Sequence, residues 1–182
     1  SPYIYNKKWS KMMRSTPAYS TLSIDNYNSS DIFNGSSVAK VWSKNVVAKN
    51  NYWISSSHSG YENRFGLVHN RKIHIDTLNL IIRGKDYLSK TKMGTNGLPK
   101  KIYIRFHIHP EIKLSVTTSK KKVVLKLKNN LGWEFICSEP TIEINEGIYL
   151  GDRRLVQKNN HILVSGDIAA NKEIKWLFRL IK

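Results

Sequence analysis

The residues with the most chemical potential in this 182-residue chain are its histidines and the arginines beside them. Five of the six histidines fall in two stretches, SHSGYENRFGLVHNRKIHI (Ser57 to Ile75) and RFHIHP (Arg105 to Pro110). Each holds an alternating run of strand type, and residues two apart on a strand share a face. Arg105, His107 and His109 are therefore expected on one side, with Phe106 and Ile108 on the other. His69 and Arg71 share one parity, while Asn70, Lys72 and His74 take the other. Two imidazoles on one strand face can hold zinc, but Glu111 is the sole adjacent carboxylate, so hydrogen bonding or a domain contact outweighs a metal site. His58 precedes Gly60 and Tyr61 at a strand end where glycine permits a sharp turn. A Tyr and His pair there can do acid and base work on a sugar, or simply pack as a lid. No Ser, His and Asp spacing, Gly-rich phosphate loop or paired-carboxylate motif stands out.

The elements that must position these groups are strands. Short runs rich in Val, Ile, Tyr, Trp and Thr alternate with Asn, Gly, Asp and Lys, and no helical period persists beyond about two turns. Strands are expected near 21–25, 39–48, 51–58, 66–75, 78–84, 101–109, 112–117, 122–128, 131–137, 141–145, 148–151, 160–166 and 173–181. Asn129 and Asn130 form a tight turn able to accept positive φ, and Asp76 with Thr77 a weaker one. Ser1 to Ala18 reads as irregular, and Asn26 to Ser37 and Ser89 to Lys100 as long loops. The expected fold is all-β: a single-domain, two-layered antiparallel β-sandwich over 1–182 with little helix. Trp133, Phe135, Trp176 and Phe178 are expected on its buried faces, and Cys137 as a small core residue.

A formal net charge of +17 points to a polyanion partner, but the lysines are spread over many turns. The densest group, Lys120 to Lys122, reads as a turn beside a solvated strand face. Without aromatic and basic residues clustered on one strand pair, nucleic acid is not an expected partner. The single cysteine excludes an intrachain disulfide framework and a cysteine-rich zinc site. No stretch approaches eighteen apolar residues, so no membrane partner is expected. A first residue other than Met, with no basic and apolar signal region, reads as a processed, excised or truncated chain.

A series of motifs runs through almost the entire chain: RSTPAYSTLSID (Arg14 to Asp25), NSSDIF (Asn28 to Phe33), HSGY (His58 to Tyr61), FGLVHNR (Phe65 to Arg71), GKDYL (Gly84 to Leu88), RFHIHP, GWEF (Gly132 to Phe135), IYLG (Ile148 to Gly151) and IKWLF (Ile174 to Phe178). In order and spacing they resemble the C-terminal β-domain of bacterial heparinase II/III-like proteins. The resemblance implies a supersandwich-like β-domain beside a catalytic N-terminal α/α toroid, in polysaccharide lyases that cleave uronic-acid-containing chains by β-elimination. That chemistry needs a base at C5, an acid for the departing oxygen, and groups that neutralise the uronate carboxylate. The toroid and the upstream His-bearing strand are absent from this sequence, so the domain is expected to be incomplete on its N-terminal side and inactive alone.

The same resemblance implies an acidic polysaccharide and the toroid of the parent chain as partners, a periplasmic setting, and no cofactor. His58, Tyr61, His69, Arg71, Arg105, His107 and His109 become candidates for substrate binding or domain docking, with no catalytic residue assigned. In several relatives the Arg-Ser-Thr segment continues into Ala-Ala-His, whose histidine serves as a structural metal ligand. Tyr19 stands there instead, and a phenol with a pKa near 10 is a poor zinc ligand, so no metal is expected. The alternative function is a non-catalytic carbohydrate-binding or interaction module of the same fold.

Overall fold

The computed structural model describes residues 7–30, 39–92, 99–139, 141–150 and 156–181. A short helix, α1 (Lys7–Met13), and a 3-10 turn (Thr16–Ala18) lead into strands β1 (Leu22–Ile24), β2 (Val41–Ala48) and β3 (Asn51–Tyr61). One helical turn, α2 (Glu62–Phe65), precedes β4 (Leu67–Asp76), β5 (Ile81–Lys90), β6 (Lys101–His107) and β7 (Lys113–Val116). The chain continues through β8 (Lys122–Lys126), β9 (Gly132–Cys137), β10 (Thr141–Leu150), β11 (Val156–Asp167) and β12 (Ile174–Leu180). Two antiparallel sheets result, one of four strands in the order β1-β6-β11-β10 and one of eight in the order β2-β3-β4-β5-β12-β9-β8-β7. The fold is the two-layered antiparallel β-sandwich that the strand periodicity implies.

Period-two patterning builds the core between the layers. On β6, Ile102, Ile104 and Phe106 are buried, while Tyr103, Arg105 and His107 between them are only partly covered. Across the gap, Phe106 packs with Phe135, Trp176 and Phe178 at ring-centroid separations of 5.0, 5.0 and 5.5 Å. Phe135 and Trp176 are buried, and Trp133, Phe178 and Cys137 pack against them part-buried, so all five fall where the sequence placed them.

The differences from expectation have local causes. The opening is not wholly irregular: Lys7–Met13 forms a seven-residue helix, too short to show a helical period in sequence. Asp76 Oδ1 accepts from the backbone N–H groups of Leu78 and Asn79, which makes 77–80 a turn, so the strand expected at 78–84 begins at Ile81 and runs on to Lys90. Gly147 does not break β10, which is continuous where two strands and a turn were expected; a Cβ there would lie 2.7 Å from Asn159 Oδ1 and 3.2 Å from His161 Nδ1. Asn130 adopts φ 61°, as its turn requires. Residues 31–38 and 93–98 of the two expected loops, and Gly151, lie outside the described residues.

One close approach sets the spacing around the centre of the larger sheet. Gly84 on β5 lies beside Trp176 on β12, and a Cβ at Gly84 would come within 2.3 Å of the indole. Gly84→Ala is therefore expected to lower the unfolding free energy in urea melts by about 2–3 kcal/mol, the scale of overpacking a filled site. Gly132→Ala, whose Cβ would meet Ile181 at an ordinary 3.4 Å, is expected to change it by less than about 1 kcal/mol.

Candidate functional site

The first histidine stretch folds into the interior. His69 and Arg71 point inward from β4, and between them, on neighbouring β5, stands Asp86, fully buried. Arg71 donates from Nε to Asp86 Oδ1 (2.7 Å) and from Nη2 to Oδ2 (3.1 Å). His69 Nε2 lies 2.6 Å from Oδ1, and Trp176 Nε1 donates to Oδ2 at 2.8 Å. Four donors thus surround one carboxylate, which is what an ion needs in order to sit in an apolar core. Burial alone pushes the Asp86 carboxyl up; the His69 hydrogen bond and the Arg71 charge outweigh it and hold the group at about 2.

The network extends outward through a second imidazole. The Gly60 N–H donates to His58 Nδ1 at 3.2 Å, which places the His58 proton on Nε2. His58 Nε2 then donates to His69 Nδ1 (3.0 Å), leaving His69 Nε2–H for Asp86. Burial first, then the neighbouring His69 and Arg71, lower His58 to about 4, so it is neutral at pH 7. The bulge between His58 and Tyr61 makes this arrangement possible. His58 and Arg71 edge a surface hollow lined also by Thr21, Ser29 and Ser56, so the relay reaches the protein surface.

Tyr61 is buried, and its hydroxyl donates to the Leu22 carbonyl (3.1 Å). Burial pushes its phenol up, against the direction a general base requires. Gly60 is pressed against Ser29, whose carbonyl oxygen would lie 2.1 Å from an added Cβ. Ser29 in turn bonds through its N–H to Thr16 Oγ1 at 2.7 Å, and Asn28 Oδ1 accepts from the Thr16 N–H at 2.8 Å. The RSTPAY and HSGY segments therefore meet as a packing unit.

The second stretch lies on the other sheet. Arg105 Nη1 donates to Ser23 Oγ at 2.8 Å. His107 Nε2 contacts the Pro17 carbonyl at 2.9 Å, and its ring lies 5.1 Å from that of His161 on β11. Burial lowers His107, with Arg105 adding to the effect. Burial, His107 and Arg105 together lower His161 to about 4. His161 Nδ1 and Asn159 Oδ1 are buried with no hydrogen-bond partner among the described residues. Strand parity does not extend to His109, because β6 ends at His107; the His109 ring sits in the following turn, edge-on to Tyr149 at 5.1 Å. The trio expected on one strand face is thus a pair, Arg105 and His107. Tyr19 is 55% exposed.

Ser20 joins the two stretches. Its carbonyl accepts from Arg71 Nη1, and its hydroxyl accepts from the His107 N–H at 2.9 Å. Sequence reasoning missed Asp86, His161 and this bridge. Asp86 fell just beyond a strand expected to end at 84; with β5 running to Lys90, its place between Gly84 and Leu88 on the inward parity becomes the signal.

The class of protein that the fold and the site define is a two-layered antiparallel β-sandwich with an ionic centre and a basic exterior. The chain belongs to the heparinase II/III-like C-terminal family, whose model matches residues 1–177. The heparan sulfate lyase HepC from Pedobacter heparinus has the same fold over 98% of this chain and 26% of its own, with a TM-score of 0.71 at 12% identity. The heparinase III BT4657 gene product matches over 98% of this chain and 26% of its own, with a TM-score of 0.67 at 14% identity. FtsZ-localized protein C of Caulobacter vibrioides is 26% identical over 149 residues, 79% of this chain and 26% of that protein. The chain spans about a quarter of the length of these relatives.

Two outcomes follow from the ionic centre. Asp86→Ala leaves the Arg71 cation buried without its partner and is expected to cost about 3–5 kcal/mol in chemical denaturation. The pH dependence has one sign throughout. His58 drops from 6.5 to about 4 on folding, so its contribution is complete above pH 6.5 and fades as pH falls towards 4. Asp86 drops from 3.8 to about 2, so its contribution fades below pH 3.8. Melting temperature is expected to fall on acidification in both windows, and His58→Gln to make the upper fall shallower while leaving the lower one unchanged, the remaining upper slope coming from His161, which also drops from 6.5 to about 4.

Proposed function

We propose that this chain is the accessory β-sandwich of a polysaccharide lyase that cleaves uronic-acid-containing polysaccharide by β-elimination, and that it supplies a wall of the cleft and a dock for a toroid domain. The family match across 1–177 carries this reading. The disposition of the candidate residues supports it. His58, His69 and Arg71 serve mainly to order the sandwich, since each is committed to Asp86 or to the relay behind it. Arg105 and His107 remain partly exposed and are the groups available to a carboxylate and a sugar hydroxyl. Tyr61, buried and donating to a carbonyl, belongs to the framework, and His109, exposed beside Tyr149, to the rim.

A second reading has its own support: a related sequence occurs in a protein named as FtsZ-localized, which favours a non-catalytic interaction module. The measurement that separates them is turnover of heparan sulfate or alginate by the intact protein, followed through the ultraviolet absorbance of the unsaturated product. Arg105→Ala and His107→Ala are expected to reduce turnover by about tenfold or more with little change in melting temperature. Unchanged turnover with a lowered melt would assign both residues to structure, and no product from any uronate polymer would favour the interaction module.

A further inference from the structure

The open face of the eight-stranded sheet carries an arrangement unrelated to its ionic centre. Strand register places Lys44 opposite Ser55, Ser55 opposite Lys72, Lys72 opposite Lys85, and Lys85 opposite Lys175. Four lysines thus form one straight row across β2, β3, β4, β5 and β12, interrupted only by Ser55. Neighbouring residues on the same strands, Arg71, Asp86 and Trp176, point into the core, so the row faces outward. Like charges directly opposite each other on adjacent strands destabilise a sheet. Glu173 holds Lys85 and Lys175, but among the described residues no carboxylate lies within 4.0 Å of Lys44 or Lys72.

Aromatic rings flank the row on both sides. Trp42 and Tyr87 lie in the next row along the strands, joined through Ser57 and Asn70. Trp53 and His74 are paired in the row beyond, with Arg83 next to them. The Trp53 indole stacks on the His74 imidazole at 5.0 Å and 21°, and His74 is itself held to Asn51 at 2.8 Å. Trp53 is nevertheless 42% exposed and Trp42 50%. An aromatic ring fixed in place while still open to solvent loses little freedom when something stacks on it.

We propose that this face binds an acidic polysaccharide chain laid across the strands, its carboxylates or sulfates on the lysine row and its pyranose faces on Trp42 and Trp53. Strands about 4.8 Å apart bring successive cations into step with a polymer charged on successive sugars. The choice of a saccharide over another polyanion rests on the lyase-domain reading above; the cationic row with its aromatic borders does not. The site lies on the sheet face opposite the side chains that make the ionic centre, and it would hold the polymer away from Arg105 and His107.

The test measures binding of size-defined heparan sulfate oligosaccharides to the 182-residue chain by calorimetry at fixed moderate salt, with duplex DNA and neutral dextran in parallel. Lys44→Ala with Lys72→Ala is expected to weaken oligosaccharide binding about tenfold or more, and Trp53→Ala about fivefold. The lysine variants should melt no lower than the parent chain, because Lys72 stands directly opposite Lys85 and neither Lys44 nor Lys72 has a carboxylate within 4.0 Å among the described residues. Loss of binding with that unchanged or raised melt supports the site. Binding that persists in the variants, or wild-type protein that binds no acidic saccharide, overturns it. DNA bound more tightly than saccharide and lost in the same variants also overturns it, in favour of nucleic acid. Intact protein that forms no elimination product yet binds saccharide on this face would defeat the lyase reading and leave this inference standing.

Discussion

A carboxylate with no access to water lies at the centre of this sandwich, and much of the larger sheet is arranged to tolerate it. Transferring an ion into an apolar core costs more than one hydrogen bond returns, so Asp86 must be surrounded by donors. Those donors come from two strands, His69 and Arg71 from β4 and Trp176 from β12, on either side of the β5 strand that carries Asp86 itself. Each imposes a further demand. The Trp176 indole needs the space that Gly84 leaves, and His69 needs a partner for its other nitrogen, which His58 supplies. His58 in turn takes its tautomer from the Gly60 N–H, at a bulge that only a residue without a side chain can occupy against Ser29. A chain of local choices in five segments therefore follows from one buried charge.

The same cluster couples the two layers. Arg71 reaches from the larger sheet to the Ser20 carbonyl, while the Ser20 hydroxyl receives the N–H of His107 from the smaller one. The Arg71 guanidinium also lies 5.9 Å from the Phe106 ring and 5.8 Å from that of Trp176, so the ion lock and the aromatic core share their atoms. Segments that look like separate family motifs in sequence, RSTPAY, HSGY, FGLVHNR, GKDYL and IKWLF, are contact partners in space.

The polar and charged side chains are divided among surfaces. The interior uses histidine as a hydrogen-bonding link and arginine as a paired cation; the outer side of β6 presents Arg105 and His107 part-buried; the open face of the larger sheet presents lysine and tryptophan. A basic domain is usually described by its net charge, but here the distribution matters more. The interior Arg71 is matched by Asp86, whereas Lys44 and Lys72 on the open face have no such carboxylate among the described residues. Like-charge neighbours across strands lower stability, which makes their alignment informative about a partner.

What the sequence determined by itself was the class of fold, the positions of most strands, and the aromatic core. Alternation of β-branched and aromatic residues with polar ones is a local signal, and it survives folding unchanged because strand geometry has a period of two. Parity also separated His69 and Arg71 from Lys72 and His74 correctly, up to the point where β6 ended and His109 escaped the rule. Tertiary structure alone decided which residues meet. Asp86 was one acid in a basic chain until β5 extended past it and β4 and β12 closed on either side. Lysines spread along the sequence became a row only when five strands aligned in register, because cross-strand neighbours are set by hydrogen-bonded pairing between segments tens of residues apart and not by any spacing along the chain.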